Sequence, residues 1–286
     1  MPDDYLNNLI PLPLSIAIVF IFGAMIGSFL NVVIHRLPRE RSIVFPNSSC
    51  GECGAGVKFY DNIPVLSYLI LGGRCRACRA PFSIRYPAVE ILTAILFALV
   101  FLRDGWTLSL LFDLVFISSL IALIFIDAEH MILPNKITYP GFAIALAARI
   151  IVSNLYGVEF MKTNLLNTSP DWFVSLVGAL LGATLGGGSL WLLGWIWERL
   201  RGVEAMGLGD VKMMLMVGAY LGWPLTCLTI FIGFVTGSVA GVLLMARRGE
   251  RDMQTMLPFG IFLGIGAIIS LFLGRAIVAW YVGQFQ

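Results

Sequence analysis

The chain is dominated by long apolar runs separated by short charged segments. Runs of this length can cross about 30 Å of hydrocarbon as α-helices, because a helix rises about 1.5 Å per residue and satisfies its own backbone hydrogen bonds. Charged residues make up only 13% of the 286 positions, and mean hydropathy is +0.88. A soluble domain does not normally have this balance. An outer-membrane barrel would instead show alternation over segments of about ten residues. The sequence therefore predicts an all-α integral membrane protein.

Eight transmembrane helices are predicted, arranged as a bundle. The longest run, 213–246, holds no charge in 34 residues and would reach about 50 Å as one helix. We expect Gly222, Trp223 and Pro224 to divide it into two helices. The first part, from Asp210 to Gly222, covers only about 20 Å, so Asp210 is expected to lie below the cytoplasmic surface. The predicted spans are 12–34, 86–102, 106–126, 137–152, 172–197, 210–222, the remainder of the divided run, and 257–281.

The distribution of basic residues orients this bundle. The eight-span arrangement places 15 of the 19 Lys and Arg residues on one side, which marks that side as cytoplasmic and both termini as external. The first apolar run is expected to remain as a span, because residues 1–9 hold no Lys or Arg. A net charge of +2 without a basic tract gives no indication of nucleic-acid binding. The predicted cytoplasmic segments are 37–85, 127–136, 198–209 and 247–256.

Four cysteines lie in the polar insertion 37–85. They form two Cys-x-x-Cys pairs, Cys50 with Cys53 and Cys75 with Cys78, separated by 21 residues. This spacing is typical of zinc ribbons, in which four thiolates close a tetrahedral structural site. Two disulfides are the alternative, but a cytoplasmic loop is in a reducing compartment. We therefore expect a small zinc-binding domain at 37–85, between a first transmembrane helix at 1–36 and a seven-helix domain at 86–286.

Two carboxylates lie at the cytoplasmic ends of predicted spans. Asp210 is set between glycines in the segment 207–212, and Asp127 directly follows the 106–126 span. Asp210 could simply favour the start of a helix, and Asp127 could simply mark a span boundary. At one depth, however, two carboxylates can share a proton, which suits the activation of a water molecule and the protonation of a leaving amine.

Two further ionisable residues fall at membrane depth. Glu90, near the cytoplasmic start of the second span, is expected to assist the carboxylate site. Asp113 lies toward the outer end of its span and is expected to snorkel to the surface.

Glycines recur at every fourth position in several spans, as at Gly178, Gly182 and Gly186, and at Gly218 and Gly222. Small residues at this spacing let helix backbones approach closely within lipid, so these glycines are expected to lie at helix contacts.

Taken in order along the chain, these motifs resemble those of the bacterial type IV prepilin peptidases. The resemblance covers nearly the whole chain. It is carried by Gly27–Pro38, the double Cys-x-x-Cys loop, Asp127 with Leu133-Pro134-Asn135, Gly207-x-Gly209-Asp210-Val211-Lys212, and Pro258-Phe259-Gly260.

The resemblance implies a bifunctional enzyme of the bacterial inner membrane, with its active site at the cytoplasmic face. Such an enzyme cuts the leader of a prepilin or pseudopilin by aspartic proteolysis and methylates the new N-terminus with S-adenosylmethionine. Asp127 and Asp210 match the catalytic pair. The supporting residues are then Gly207, Gly209, Lys212, Asn135 and Glu90. No methyl-donor motif is recognisable, so residues for that step are not assigned.

Two other functions remain open from the sequence. One is an ion-coupled transporter in which the two aspartates bind ions and the zinc loop has a regulatory role. The other is an intramembrane protease of general specificity.

Overall fold

A computed structural model describes residues 9–152, 169–202, 207–248 and 257–284. The long apolar runs are α-helices, and within these ranges there is no β-strand, only two isolated β-bridges in the cysteine insertion. The predicted all-α class is confirmed. The helices are α1 (Leu12–Arg36), α2 (Leu66–Ile70), α3 (Arg85–Asp104), α4 (Leu108–His130), α5 (Asn135–Ile151), α6 (Asp171–Arg201), α7 (Leu208–Leu221), α8 (Trp223–Arg248) and α9 (Phe259–Gly283).

Eight of these helices are long, but two of the eight fall short of a full membrane crossing. The six that are long and apolar enough to span are α1, α3, α4, α6, α8 and α9. Helix α5 has only 17 residues and α7 only 14. The predicted break at Gly222 is confirmed, because this residue has φ +78° and separates α7 from α8.

The end of α4 differs from the expected boundary at residue 126. The helix continues to His130, so Asp127 lies in its last turn rather than after it. The N–H of Met131 donates to the Asp127 carbonyl at 2.9 Å, and Met131 adopts φ +52°. The predicted cytoplasmic segment 247–256 lies outside the described residues from position 249 onward.

The chain divides into two compact units, Met1–Ala122 and Leu123–Gln286. In the first unit, α1 packs closely on α3, since a Cβ added at Gly27 would lie 2.6 Å from the Glu90 Cα. Asp113 does not snorkel, and that expectation was wrong. It is fully buried, because Arg103 of α3 provides a partner for its carboxylate at 3.0 Å.

In the second unit, α7 is enclosed by its neighbours, and most of its residues from Met213 to Leu221 are buried. Helix α6 contacts it through glycines, because a Cβ on Gly182 would collide with the Gly218 carbonyl and a Cβ on Gly218 with the Gly182 carbonyl. Helix α6 contains a π-helical turn at Thr184–Gly188, where Gly186 faces the Met214 carbonyl. The glycine pattern therefore serves helix contact, as expected.

The C-terminal end of α7 is held by a buried cation from α5. Arg149 is fully buried, and its Nε donates to the Ala219 carbonyl at 3.1 Å while its Nη2 donates to the Tyr220 carbonyl. The last carbonyls of a helix have no partner within the helix, and the helix dipole favours a positive charge at this end. Arg149 thus allows α7 to end in apolar surroundings.

We predict that Gly182→Ala destabilises the protein by about 1–3 kcal/mol, since the added methyl group must separate α6 from α7. Gly188→Ala is the matched control in the same helix, because nothing lies within 4 Å of its Cβ position. Thermal unfolding in detergent measures both. Equal melting temperatures for the two variants would show that the glycine contact does not determine this packing.

Candidate active site

Asp127 lies at the point where the last turn of α4 meets the start of α9. Its side chain is buried, with 5% exposure, and its Oδ2 accepts the N–H of Ile261 at 3.2 Å. This N–H belongs to the first turn of α9, where backbone donors lack partners within the helix and the dipole favours a negative charge. Gly260 allows this approach, because a Cβ there would lie 2.8 Å from the Asp127 Oδ2.

Asp210 lies in the first turn of α7 and is half-buried. Its Oδ1 is fully enclosed and has no hydrogen-bond partner among the described residues. A buried polar atom without a partner is unfavourable by about 1–3 kcal/mol, and such atoms are often found where a water or substrate binds.

Leu133 links the elements that carry the two carboxylates. A Cβ at Gly209 would lie 3.0 Å from the Leu133 Cβ, and a Cβ at Gly260 would lie 3.2 Å from the Leu133 Cδ1. The start of α7 and the start of α9 therefore both contact the loop that follows α4. The two aspartates, 83 positions apart in the sequence, converge at this loop.

Lys212 and Asn135, two of the supporting residues, contact each other. The Lys212 Nζ donates to the Asn135 Oδ1 at 3.0 Å and lies 5.6 Å from the centre of the Tyr139 ring. This contact joins the starts of α5 and α7, two residues after Asp210. Gly207 precedes α7, and a Cβ there would lie 3.8 Å from the Asp210 Oδ2.

Glu90, the remaining supporting residue, belongs to the first unit. It is buried in α3, and its Oε2 accepts the N–H of Val65 at 2.7 Å. Its described contacts are with α1 and with the cysteine insertion, and its expected role in supporting the carboxylate site stays a prediction.

The four cysteines converge to one cluster. Their Sγ atoms all lie within 4.8 Å of one another, and the thiols are free. The Cys50 and Cys78 sulfurs are 3.8 Å apart. Four thiolates at the usual Zn–S distance of about 2.3 Å would be separated by about 3.8 Å, whereas a disulfide needs about 2.05 Å. The cluster therefore fits a tetrahedral zinc ion better than it fits disulfides.

The two Cys-x-x-Cys turns have the same backbone structure. In the first, the Cys50 N–H donates to Ala55 and the Cys50 carbonyl accepts from Gly54; in the second, Cys75 makes the same bonds with Ala80 and Arg79. The backbone N–H groups of Cys53 and Glu52 lower the pKa of Cys50 to about 7, which favours the thiolate form that binds metal.

Sequence reasoning missed two features of the carboxylate site, the N–H of Ile261 and the packing of Leu133, and it missed the cap that Arg149 provides at the far end of α7. Leu133 and Gly260 were present in the motifs, but nothing in those motifs showed that they would meet. Arg149 had a signal of its own, because an arginine within an apolar span is rarely without a specific partner.

Six described helices are long and apolar enough to cross a membrane, which defines the class as that of the multi-pass membrane proteins. Residues 21–103 match the bacterial peptidase A24 N-terminal domain, and residues 114–242 match the type IV leader peptidase family. The chain belongs to the type IV leader peptidase family. A multi-pass protein of the inner membrane is in keeping with that family.

Several curated relatives are similar over nearly their full length. The prepilin leader peptidase/N-methyltransferase of Aeromonas hydrophila is 37% identical, over 95% of this chain and 95% of the relative. The proteins of the same name from Pseudomonas aeruginosa and Legionella pneumophila are both 35% identical, over 92% and 94% of this chain and 91% and 95% of the relatives. No solved structure matches this chain.

We predict that Gly260→Ala lowers kcat for leader cleavage by at least tenfold, because the methyl group would displace the Asp127 carboxylate from the N–H of Ile261. Gly283→Ala, in the same helix, is the control, since nothing lies within 4 Å of its Cβ position. Cleavage of a prepilin by the purified variants measures the effect. A Gly260→Ala enzyme with unchanged kcat would mean that the position of Asp127 is not critical.

Proposed function

We propose that this protein is a membrane aspartic endopeptidase that removes the leader of type IV prepilins or pseudopilins at the cytoplasmic membrane face and then N-methylates the new N-terminal residue. The contacts of Leu133 with the elements that carry Asp127 and Asp210 support the proteolytic part of this proposal. The names of the relatives support both activities.

The two carboxylates have different surroundings, which suggests different roles. Asp127 accepts a backbone N–H at the positive end of α9, so it is the better site for the negative charge. Asp210 has an enclosed oxygen without a partner, and a proton on this group would reduce the charge repulsion between the two residues.

Cleavage then follows the chemistry of a carboxylate pair. Asp127 takes a proton from a water molecule, whose oxygen attacks the scissile carbonyl while the protonated Asp210 donates a hydrogen bond to the carbonyl oxygen. When the C–N bond breaks, the proton held by Asp127 passes to the leaving amine. A substrate with its basic leader in the cytoplasm and its apolar helix in the bilayer would place its scissile bond at the depth of these residues.

The methylation step uses S-adenosylmethionine, which supplies the methyl group to the new amine. No residue of this chain is assigned to the methyl donor. If methylation uses a separate site, substrate cleaved beforehand is methylated normally by enzymes that lack either aspartate.

Zinc is proposed for the four-cysteine cluster. Cys50, Cys53, Cys75 and Cys78 would supply all four ligands, which leaves no open position for water. The ion would therefore be structural and would fix the fold of a small insertion that has few buried apolar residues.

The transporter hypothesis has no comparable support. Its aspartates would need to coordinate an ion, but one of the pair binds a backbone N–H, and the relatives named above are leader peptidases.

Replacing Asp127 or Asp210 by Asn is predicted to reduce cleavage by several orders of magnitude, because the side chain keeps its size but loses the titrating group. Asp171→Asn, an exposed residue at the start of α6, is the control and should cleave normally. Purified, folded enzymes and a prepilin substrate provide the measurement. Cleavage near the wild-type rate by either active-site variant would refute the aspartic mechanism.

Replacing Cys75 by Ser is predicted to remove zinc and lower the protein yield, because metal binding contributes much of the folding free energy of so small a domain. Cys227→Ser is the control, since that thiol lies in α8, outside the cluster. Elemental analysis of both purified proteins tests this. A wild-type protein without zinc, or a Cys75→Ser protein with a full equivalent, would contradict the proposal.

A further inference from the structure

The short helix α2 of the cysteine insertion is unusual because it exposes three large apolar side chains. Leu66 is 56% exposed, Leu69 68% and Ile70 78%, and all three lie on the short helix α2. Just before it, Phe59 is 88% exposed. These residues form one segment, 59–70, which we call the apolar segment.

The inner side of the apolar segment is polar. Ser67 is buried, and its hydroxyl donates to the Tyr60 carbonyl at 3.1 Å and accepts the N–H of Ile63 at 3.0 Å. A water-soluble segment would bury its large apolar side chains and expose its serine. The reversed arrangement is typical of a surface that is covered by something apolar.

The apolar segment is attached to a membrane span. The N–H of Val65 donates to the Glu90 Oε2 at 2.7 Å, and Glu90 is the sixth residue of α3. Its Cα is therefore about 7.5 Å along the helix from Arg85, and helical side chains tilt back toward the N-terminus. The carboxylate thus lies between the level of Arg85 and that of Glu90, where the polar start of α3 gives way to its apolar part.

The residue that makes this bond, Val65, has a strained backbone conformation. Val65 has φ +61° and ψ −51°, and the N–H of Leu66 donates to the Pro64 carbonyl at 2.6 Å across it, which makes a γ-turn. A β-branched residue is unfavourable in this region of backbone conformation. The hydrogen bond to the buried Glu90 offsets this strain. A residue of the membrane helix α3 therefore fixes the position of α2.

Basic and aromatic residues surround the apolar segment. The Tyr60 ring has Lys58 Nζ and Arg76 Cζ each 5.6 Å from its centre, and Arg76 Nε also bonds Asp61 at 2.8 Å. Residues 37–85 hold seven basic and three acidic side chains, and a zinc ion on four thiolates would add −2, so the net charge would be +2 (7 − 3 − 2). Aromatic rings beside cations are typical of the lipid headgroup level, and a basic surface is attracted to anionic lipids.

We propose that the apolar segment lies in the headgroup and acyl boundary of an anionic bilayer, and that Glu90 holds it at that depth. The partner is the lipid itself. The apolar segment would then be part of the membrane-bound surface and would continue that of α3.

Spin-label accessibility tests this on the full-length protein. A keto amino acid introduced at Leu69 or Ile70 can carry a nitroxide without using the native cysteines. The same label at Glu52, an exposed position beside the zinc cluster, is the control. The protein is placed in vesicles of phosphatidylethanolamine and phosphatidylglycerol, and collisions with oxygen and with a water-soluble nickel complex are compared.

Labels at Leu69 and Ile70 are expected to have an oxygen-to-nickel collision ratio several-fold higher than the label at Glu52, because oxygen concentrates in the bilayer. A ratio equal to that at Glu52 would overturn the proposal by placing the segment in water. Low collision rates with both reagents would overturn it too, since another protein surface would then cover the segment.

A variant of Glu90 tests whether this carboxylate sets the depth of the apolar segment. Glu90→Ala is expected to lower the ratio at Leu69 toward that at Glu52, because nothing then holds the strained turn. Thr93→Ala is the matched control, since that buried hydroxyl on the same helix donates to the Val89 carbonyl of its own helix. An unchanged ratio in a folded Glu90→Ala protein would show that the carboxylate does not set the depth.

Discussion

In the second unit, the backbone groups at the two ends of α7 must find hydrogen-bond partners within an apolar environment. A helix of 14 residues reaches about 21 Å, so it cannot place both its ends in water across a bilayer of about 30 Å. Arg149 meets this constraint at the C-terminal end by binding two carbonyls. Because the carbonyls at that end are hydrogen-bonded within the protein, the N-terminal end of α7, which carries Asp210, can lie below the membrane surface.

The acidic site is built from helix ends. Asp127 occupies the last turn of one helix and Asp210 the first turn of another, while the start of α9 supplies a backbone donor. Such positions are the only places in a helical membrane protein where backbone groups remain free to bind a side chain or substrate. Glycines at 209 and 260 keep the space around them open, because a side chain there would collide with Leu133 or Asp127.

Much of the fold could be predicted from the sequence because lipid imposes simple rules. Apolar length identified the helices, and the break at Gly222 followed from the limit on the length of one crossing. The cysteine spacing identified the cluster, since few arrangements bring four thiols together. The sequence did not predict which charged side chains form ion pairs. Asp113 was expected at the surface, but Arg103, from a different helix, neutralises it. Glu90 was placed by its depth, and the structure adds its bond to the turn at Val65. A single sequence does not reveal such partners, because they depend on which helices pack together.

The contact between Gly182 and Gly218 has a consequence for how this protein can vary. Most tight contacts in a protein core join two side chains, so that a larger residue on one side can be offset by a smaller one opposite. Here each glycine faces the other's carbonyl group, and a carbonyl group is present in every residue. No second substitution can make room for a side chain at either position. Both glycines should therefore remain fixed among related sequences even where neighbouring residues drift, and their loss should rarely be rescued by a suppressor within these two helices.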